Sequence, residues 1–210
     1  MEETEGGWNA EGLHKKIGEL QRWLPTVKAD VLAVQEAQLP KVAPRIPGYQ
    51  PPVVVRRARG RVTGASVVKG GDVALYVRAC LHFQTIDDRM TAAADNTTEI
   101  CGIRLLDGGK DGQPYLTVLN ICRPPIRATG DDHVNSFDPT ALPTDDKTLL
   151  IGDVNAHHPM WDAACETPDE VGDRVASWLD NIGWRPLNTG EPTFTRYRSG
   201  GHSAPDLAAC

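Results

Sequence analysis

What most limits the folds open to this chain is a succession of short runs rich in β-branched residues, broken by only two stretches of helical spacing. Val31–Gln35, Val53–Val55, Val73–Val77, Phe83–Ile86, Ile100–Leu105, Tyr115–Ile121, Thr148–Ile151, Thr193–Tyr197 and Pro205–Ala209 all read as strands. Leu13, Ile17, Leu20, Leu24 and Val27 recur every three or four residues and predict an amphipathic helix over 11–28, which Pro25 should bend or end near Leu24. Val171, Val175, Leu179 and Ile182 predict a second helix, stopped by Gly183. The turn-rich stretch Leu106–Gly112 predicts a hairpin between 99–105 and 115–121. Strands that do not alternate regularly with helices argue for an α+β class. They are too many for one small sheet, and two packed sheets with helices on their outer faces would bury them best.

Composition sets the outer bounds. A chain of 210 residues, 40% of them hydrophobic, can bury one sizeable core, and no repeat or linker divides it. The net charge of −6 argues against a polyanion binder that works by bulk charge, so any nucleic-acid contact must be local or metal-mediated. No apolar run approaches the ~20 residues of a membrane span, and the acidic start MEETEGG resembles neither a secretory signal nor a basic transit peptide. Cys80, Cys101, Cys122, Cys165 and Cys210 form no CxxC, and three of them lie inside strand runs. They read as buried thiols of a reducing compartment, which predicts a nuclear or cytoplasmic protein.

Several apolar strands end in polar side chains that are costly there unless paired or used. Leu149-Leu150-Ile151 runs into Gly152-Asp153-Val154-Asn155, and Val31-Leu32-Ala33-Val34 runs into Gln35-Glu36. A third acid, Asp206, closes Ser203-Ala204-Pro205-Asp206 just before Leu207. A carboxylate at such a strand end can hold a water or a hard cation, and an amide can bind a phosphate oxygen.

Taken in order, Trp8-Asn9-Ala10-Glu11-Gly12-Leu13, Val34-Gln35-Glu36, Leu119-Asn120-Ile121-Cys122-Arg123-Pro124-Pro125, Gly152-Asp153-Val154-Asn155 and Ser203-Ala204-Pro205-Asp206 resemble the motif series of the endonuclease/exonuclease/phosphatase superfamily. Val73–Val77, Ala156-His157-His158-Pro159-Met160-Trp161-Asp162 and Pro192-Thr193-Phe194-Thr195 narrow the resemblance. They are similar to the apurinic-type endonuclease domain of non-LTR retrotransposons, in wording nearest the trypanosomatid ingi-like elements. The resemblance implies a single domain over 1–210, folded as a DNase I-like four-layered α/β sandwich of two mixed β-sheets with helices outside. It also implies a monomer that nicks double-stranded DNA with Mg²⁺ or Mn²⁺. The nick would prime a reverse transcriptase carried in the full-length element, with no membrane partner.

By position in the motifs, the resemblance makes Glu36 the principal metal ligand, assisted by Asn9 and Glu11. Asp153 is the acid that activates the attacking water, Asn155 the amide that holds the scissile phosphate, and Asp206 the carboxylate that orients a histidine. Asn120, Arg123 and His157 are candidate substrate contacts; Arg123 or Cys122 stands where the family often has a phosphate-binding Tyr. The family's closing Ser-Asp-His follows the strand that Asp206 begins, and the sequence contains no such tripeptide. The polar MEETEGG stands where a first strand would lead into Asn9. Both ends therefore read as clipped, with impaired activity and an exposed sheet edge expected. His202 is read as a loop residue.

One further segment stands apart by charge. From Arg56 to Gly71 there is no acidic residue, and Arg56, Arg57, Arg59 and Arg61 make it a candidate phosphate-contacting arm. Two other readings remain beside the endonuclease: a superfamily phosphatase for small phosphoesters, and a catalytically silent remnant of a retroelement. No GxSxG, P-loop or GxGxxG supports another chemistry.

Overall fold

A computed structural model describes residues 6–10, 12–56, 71–86, 98–106, 114–124, 137–195 and 202–210. Its strands run almost where the sequence puts them. One sheet contains β1 (Gly6–Asn9), β2 (Val31–Gln35), β3 (Val53–Val55) and β4 (Val73–Val77), in the order β1-β2-β4-β3. The other contains β5 (Phe83–Thr85), β6 (Glu99–Leu105), β7 (Leu116–Cys122), β8 (Thr148–Asp153) and β11 (Asp206–Ala209), in the order β11-β8-β7-β6-β5. Each mixes parallel and antiparallel neighbours. A two-residue ladder joins β9 (Phe194–Thr195) to β10 (His202–Ser203), so the exposed His202 lies on a strand and not in a loop.

The near-continuous apolar strands are explained by burial on both faces. Every residue of β2 and β4 is buried. Val31, Ala33, Val73, Leu75 and Val77 pack against Cys101, Ile103, Val118, Leu149 and Ile151 of the other sheet. Their alternates Leu32, Val34, Ala74 and Tyr76 pack against Leu13, Leu20 and Leu24 of α1 (Leu13–Val27). On the far side, Ile100, Leu119, Ile121 and Leu150 meet Val171, Val175 and Leu179 of α2 (Glu170–Ile182). The result is four layers: helix, sheet, sheet, helix. Pro25 does not end α1, because it falls in the last turn; the Lys28 N–H closes on the Leu24 carbonyl at 3.0 Å.

Two expectations about the ends of the sheets are corrected. The residues before Asn9 do form a strand: β1 pairs in parallel with β2, Gly6 opposite Leu32 and Asn9 opposite Gln35. The outer edge of β11 is also covered. Arg185 exchanges backbone hydrogen bonds with Cys210, and the Leu187 N–H donates to the Ala208 carbonyl. The Asn188 side chain donates to the Asp206 carbonyl and accepts from the Ala208 N–H. Segment 185–188 thus satisfies the groups that an open edge would leave unpaired.

Candidate active site

Strand direction brings the acids together. In the second sheet Glu99 lies opposite Cys122, Cys122 beside Asp153, and Asp153 opposite Asp206. One end of four strands therefore carries three acids in a row. The first sheet presents Glu36 to the same end, where the Cys122 thiol donates to Glu36 Oε1 at 3.5 Å. Glu36 Oε2 accepts from the Gly71 N–H at 2.6 Å, and the Glu36 carbonyl accepts from Gly12 at 2.9 Å. Glu36, Asp153 and Asp206 thus occupy one end of the two sheets although they are remote in sequence.

The backbone is strained where these groups sit. Glu36, Gln38, Asp72 and Asn155 have φ of 48°, 44°, 65° and 43°, four of the five described non-glycine residues in the left-handed region. Each such conformation costs about 1–2 kcal/mol and persists only where neighbours fix it. For Asn155 the fixing is visible: its N–H donates to Asp153 Oδ1 at 3.0 Å, and its side-chain amide donates to the Arg123 carbonyl at 2.7 Å. Gly152 permits β8 to lie close to β7, since a Cβ there would stand 2.0 Å from the Ile121 carbonyl oxygen.

Two of the expected substrate contacts are structural instead. Asn120 is completely buried between the sheets. Its Oδ1 accepts from Gln35 Nε2 at 2.6 Å, while its Nδ2 donates to the carbonyls of Val34 and Ala74 at 3.2 and 3.0 Å. Arg123 is also completely buried, and its Nη1 donates to the carbonyls of Val154 and Asn155, both at 3.1 Å. Both side chains are closed off from solvent, and each holds the backbone of a strand end. Arg56 is 40% exposed, yet its guanidinium donates to the carbonyls of Leu39, Pro40 and Lys41 and lies 3.9 Å from Asp72. It ties down the loop after Glu36. Arg57, Arg59, Arg61 and Glu11 lie outside the described residues. Asn9 has its backbone beside Gln35 at this same end.

The electrostatics follow from the geometry. Burial pushes the Cys122 thiol well above its ordinary range, helped by Glu36, Asp153 and Glu99, so it stays a neutral donor. Burial likewise raises the Asp206 carboxyl, against the opposing hydrogen bond of the Thr193 side chain. Among the described residues no three His, Cys, Asp or Glu side chains form a ready-made metal cage. The oxygen donors at this end suit Mg²⁺ or Mn²⁺, because Mg²⁺ is usually held by one or two carboxylates with water and substrate phosphates completing the shell. Sequence reasoning missed Glu99, almost fully buried at the start of β6. The signal was present: Glu99 is an acid bordering an apolar run, as Glu36, Asp153 and Asp206 are.

Comparison with known proteins fits this architecture. Residues 116–210 match the family described as endonuclease-reverse transcriptase. No curated protein matches the chain. The endonuclease domain of TRAS1, a telomere-specific non-LTR retrotransposon, superposes with a TM-score of 0.60 at 19% identity, over 97% of this chain and 82% of that one. The 3'-5' exonuclease NExo from Neisseria meningitidis gives 0.64 at 15% identity, over 97% and 84%. The AP endonuclease LMAP from Leishmania major gives 0.64 at 14% identity, over 97% and 77%. The chain therefore shares the fold of these proteins, a sandwich of two mixed sheets between helices, and it gathers its acids at one end of the strands.

Proposed function

We propose that the chain is a divalent-metal-dependent endonuclease that nicks one strand of double-stranded DNA. The observation that carries this reading is the meeting of Glu36, Asp153, Asn155 and Asp206 at one end of both sheets, from three separate parts of the sequence. A bound Mg²⁺ or Mn²⁺ would neutralise charge on the phosphoryl oxygens. Glu36 would hold it, with Asn9 and Glu11 as the assisting ligands. Asp153 orients a water in line with the phosphorus and takes its proton. The water oxygen bonds to phosphorus as the bond to the 3′-oxygen breaks; that oxygen takes a proton from solvent and leaves as a 3′-hydroxyl, and the phosphate stays on the 5′ side of the nick. Asn155 holds the phosphate, and Asp206 orients the groups on the other side of Asp153. Arg57, Arg59, Arg61 and His157 supply contacts to flanking phosphates. In a full-length element the 3′-hydroxyl would prime a reverse transcriptase domain, and the match over 116–210 supports that setting.

The test is nicking of supercoiled plasmid with Mg²⁺ or Mn²⁺, run beside hydrolysis of small phosphoesters such as inositol phosphates. Asp153→Asn should lower nicking by about 10²–10⁴, the usual worth of a positioned base. Phosphoester hydrolysis without nicking would make the chain a superfamily phosphatase. A folded chain with neither activity would be a silent remnant.

A further inference from the structure

We propose that Asp162 is a positioning residue that holds the His157 imidazole as a contact for a DNA phosphate beside the cut, an inference that rests on the DNA-hydrolase reading above. His157 and His158 are adjacent, but their surroundings separate them. The His158 ring stacks on Trp161 with centroids 5.3 Å apart, its Nδ1 accepts from the Met160 N–H at 3.0 Å, and its Nε2 lies 3.8 Å from Asp173. Both of its nitrogens face protein groups.

His157 is fixed from three directions. Its N–H donates to Asp169 Oδ2 at 3.1 Å, its carbonyl accepts from the Asp169 N–H at 3.1 Å, and its Nδ1 lies 3.1 Å from Asp162 Oδ2. The first turn of α2 closes over that carbonyl at Gly172, where a Cβ would stand only 2.2 Å from it. The ring nevertheless keeps 37% of its surface exposed. Because an ionised carboxylate only accepts, Nδ1 must carry the proton in this pair, which leaves Nε2 for a second partner.

Asp162 is buried, and it also accepts from the N–H groups of Ala204 and Ala164, each at 3.1 Å. Burial alone would raise its carboxyl, but these bonds and His157 outweigh it and hold it below the ordinary carboxylate range. One ionised carboxylate therefore joins the loop after Asn155 to the segment that leads into Asp206. This end of the molecule otherwise gathers acids, and the Arg123 guanidinium donates to backbone carbonyls. A phosphate entering here needs a fixed donor that can also carry positive charge, and an imidazole backed by a carboxylate is one.

The charged groups packed on the His157 segment are Asp162 on its own loop and Asp169 at the start of α2. Binding of a short fluorescent duplex to the full chain, without divalent metal, can be followed across salt at about pH 6 and about pH 8, which bracket the range where imidazoles change charge. His157→Asn keeps an N–H for Asp162 and removes Nε2. It should melt as wild type does, yet bind about fivefold more weakly near pH 6, with a salt slope smaller by about one and no pH response. Asp162→Asn, which no longer forces Nδ1 to be the donor, should weaken binding near pH 6 by a similar factor. His157→Gln, which offers an amide N–H near the Nε2 position, should restore part of the lost affinity, and it decides the matter if His157→Asn does not fold. If wild type binds and nicks DNA while both His157 variants match it, this inference fails alone. If wild type neither binds nor nicks, the DNA-hydrolase reading fails and takes the inference with it.

Discussion

At the scale of single residues, the site end is ordered by groups that never meet solvent. Cys122 is the clearest case, since its thiol donates to Glu36 Oε1 from a position flanked by three acids. Cys122→Ser should preserve the donor and keep nicking within about threefold of wild type, whereas Cys122→Val leaves that carboxylate oxygen without its thiol partner. The loss of a hydrogen bond to a charged group is worth about 1.5–3 kcal/mol, and Val should show it as a lower melting temperature and weaker metal affinity. Equal behaviour of the Ser and Val variants would mean that the contact orders nothing. Residue type alone could not separate these jobs in the sequence. An amide or guanidinium beside an apolar strand can serve a ligand or satisfy buried carbonyls, and Asn120 and Arg123 do the second.

At the scale of elements, the strands and helices were largely legible because their burial is two-sided and their side chains β-branched. Val53–Val55 and Val73–Val77 fall where the pattern puts them, and α2 ends before Gly183 as its spacing requires. β1 was not legible. Gly6-Gly7-Trp8-Asn9 carries no strand signal of its own, and it becomes a strand only by pairing with β2. The closeness of β7 and β8 was hidden too, since a strand-terminal glycine usually reads as a turn. Gly152→Ala tests that closeness: a methyl group 2.0 Å from the Ile121 carbonyl must push the strands apart. It should cost about 2–4 kcal/mol, read from urea unfolding, and displace Asp153 enough to depress nicking. A variant as stable as wild type would show that the strands tolerate separation there.

For the whole molecule, gathering acids at the end of a buried sheet trades stability for a site. Asp206 shows the sign. Its folded carboxyl titrates above the unfolded one because of burial, so the native state keeps a proton that the unfolded chain has released. The contribution of this one carboxyl is therefore most favourable below the unfolded value near pH 4 and is lost as pH rises through the raised folded value. Asp206→Asn cannot suffer that decline. It should melt higher than wild type near pH 7, and the gap should close towards about pH 4, while nicking falls. A variant that melts lower at every pH would contradict this. The contacts between β2 and β7 have a different consequence. Apolar packing resists separation but prefers no particular offset, so a core of Val, Leu and Ile can be rebuilt with substitutes of similar volume. The Gln35–Asn120 and Cys122–Glu36 bonds are directional: the first joins these two strands, and the second joins β7 to the residue that follows β2, near the acids. They index one half of the site against the other. Exchanging the packed apolar residues for others of similar volume would leave the two halves in register, provided those two pins are kept.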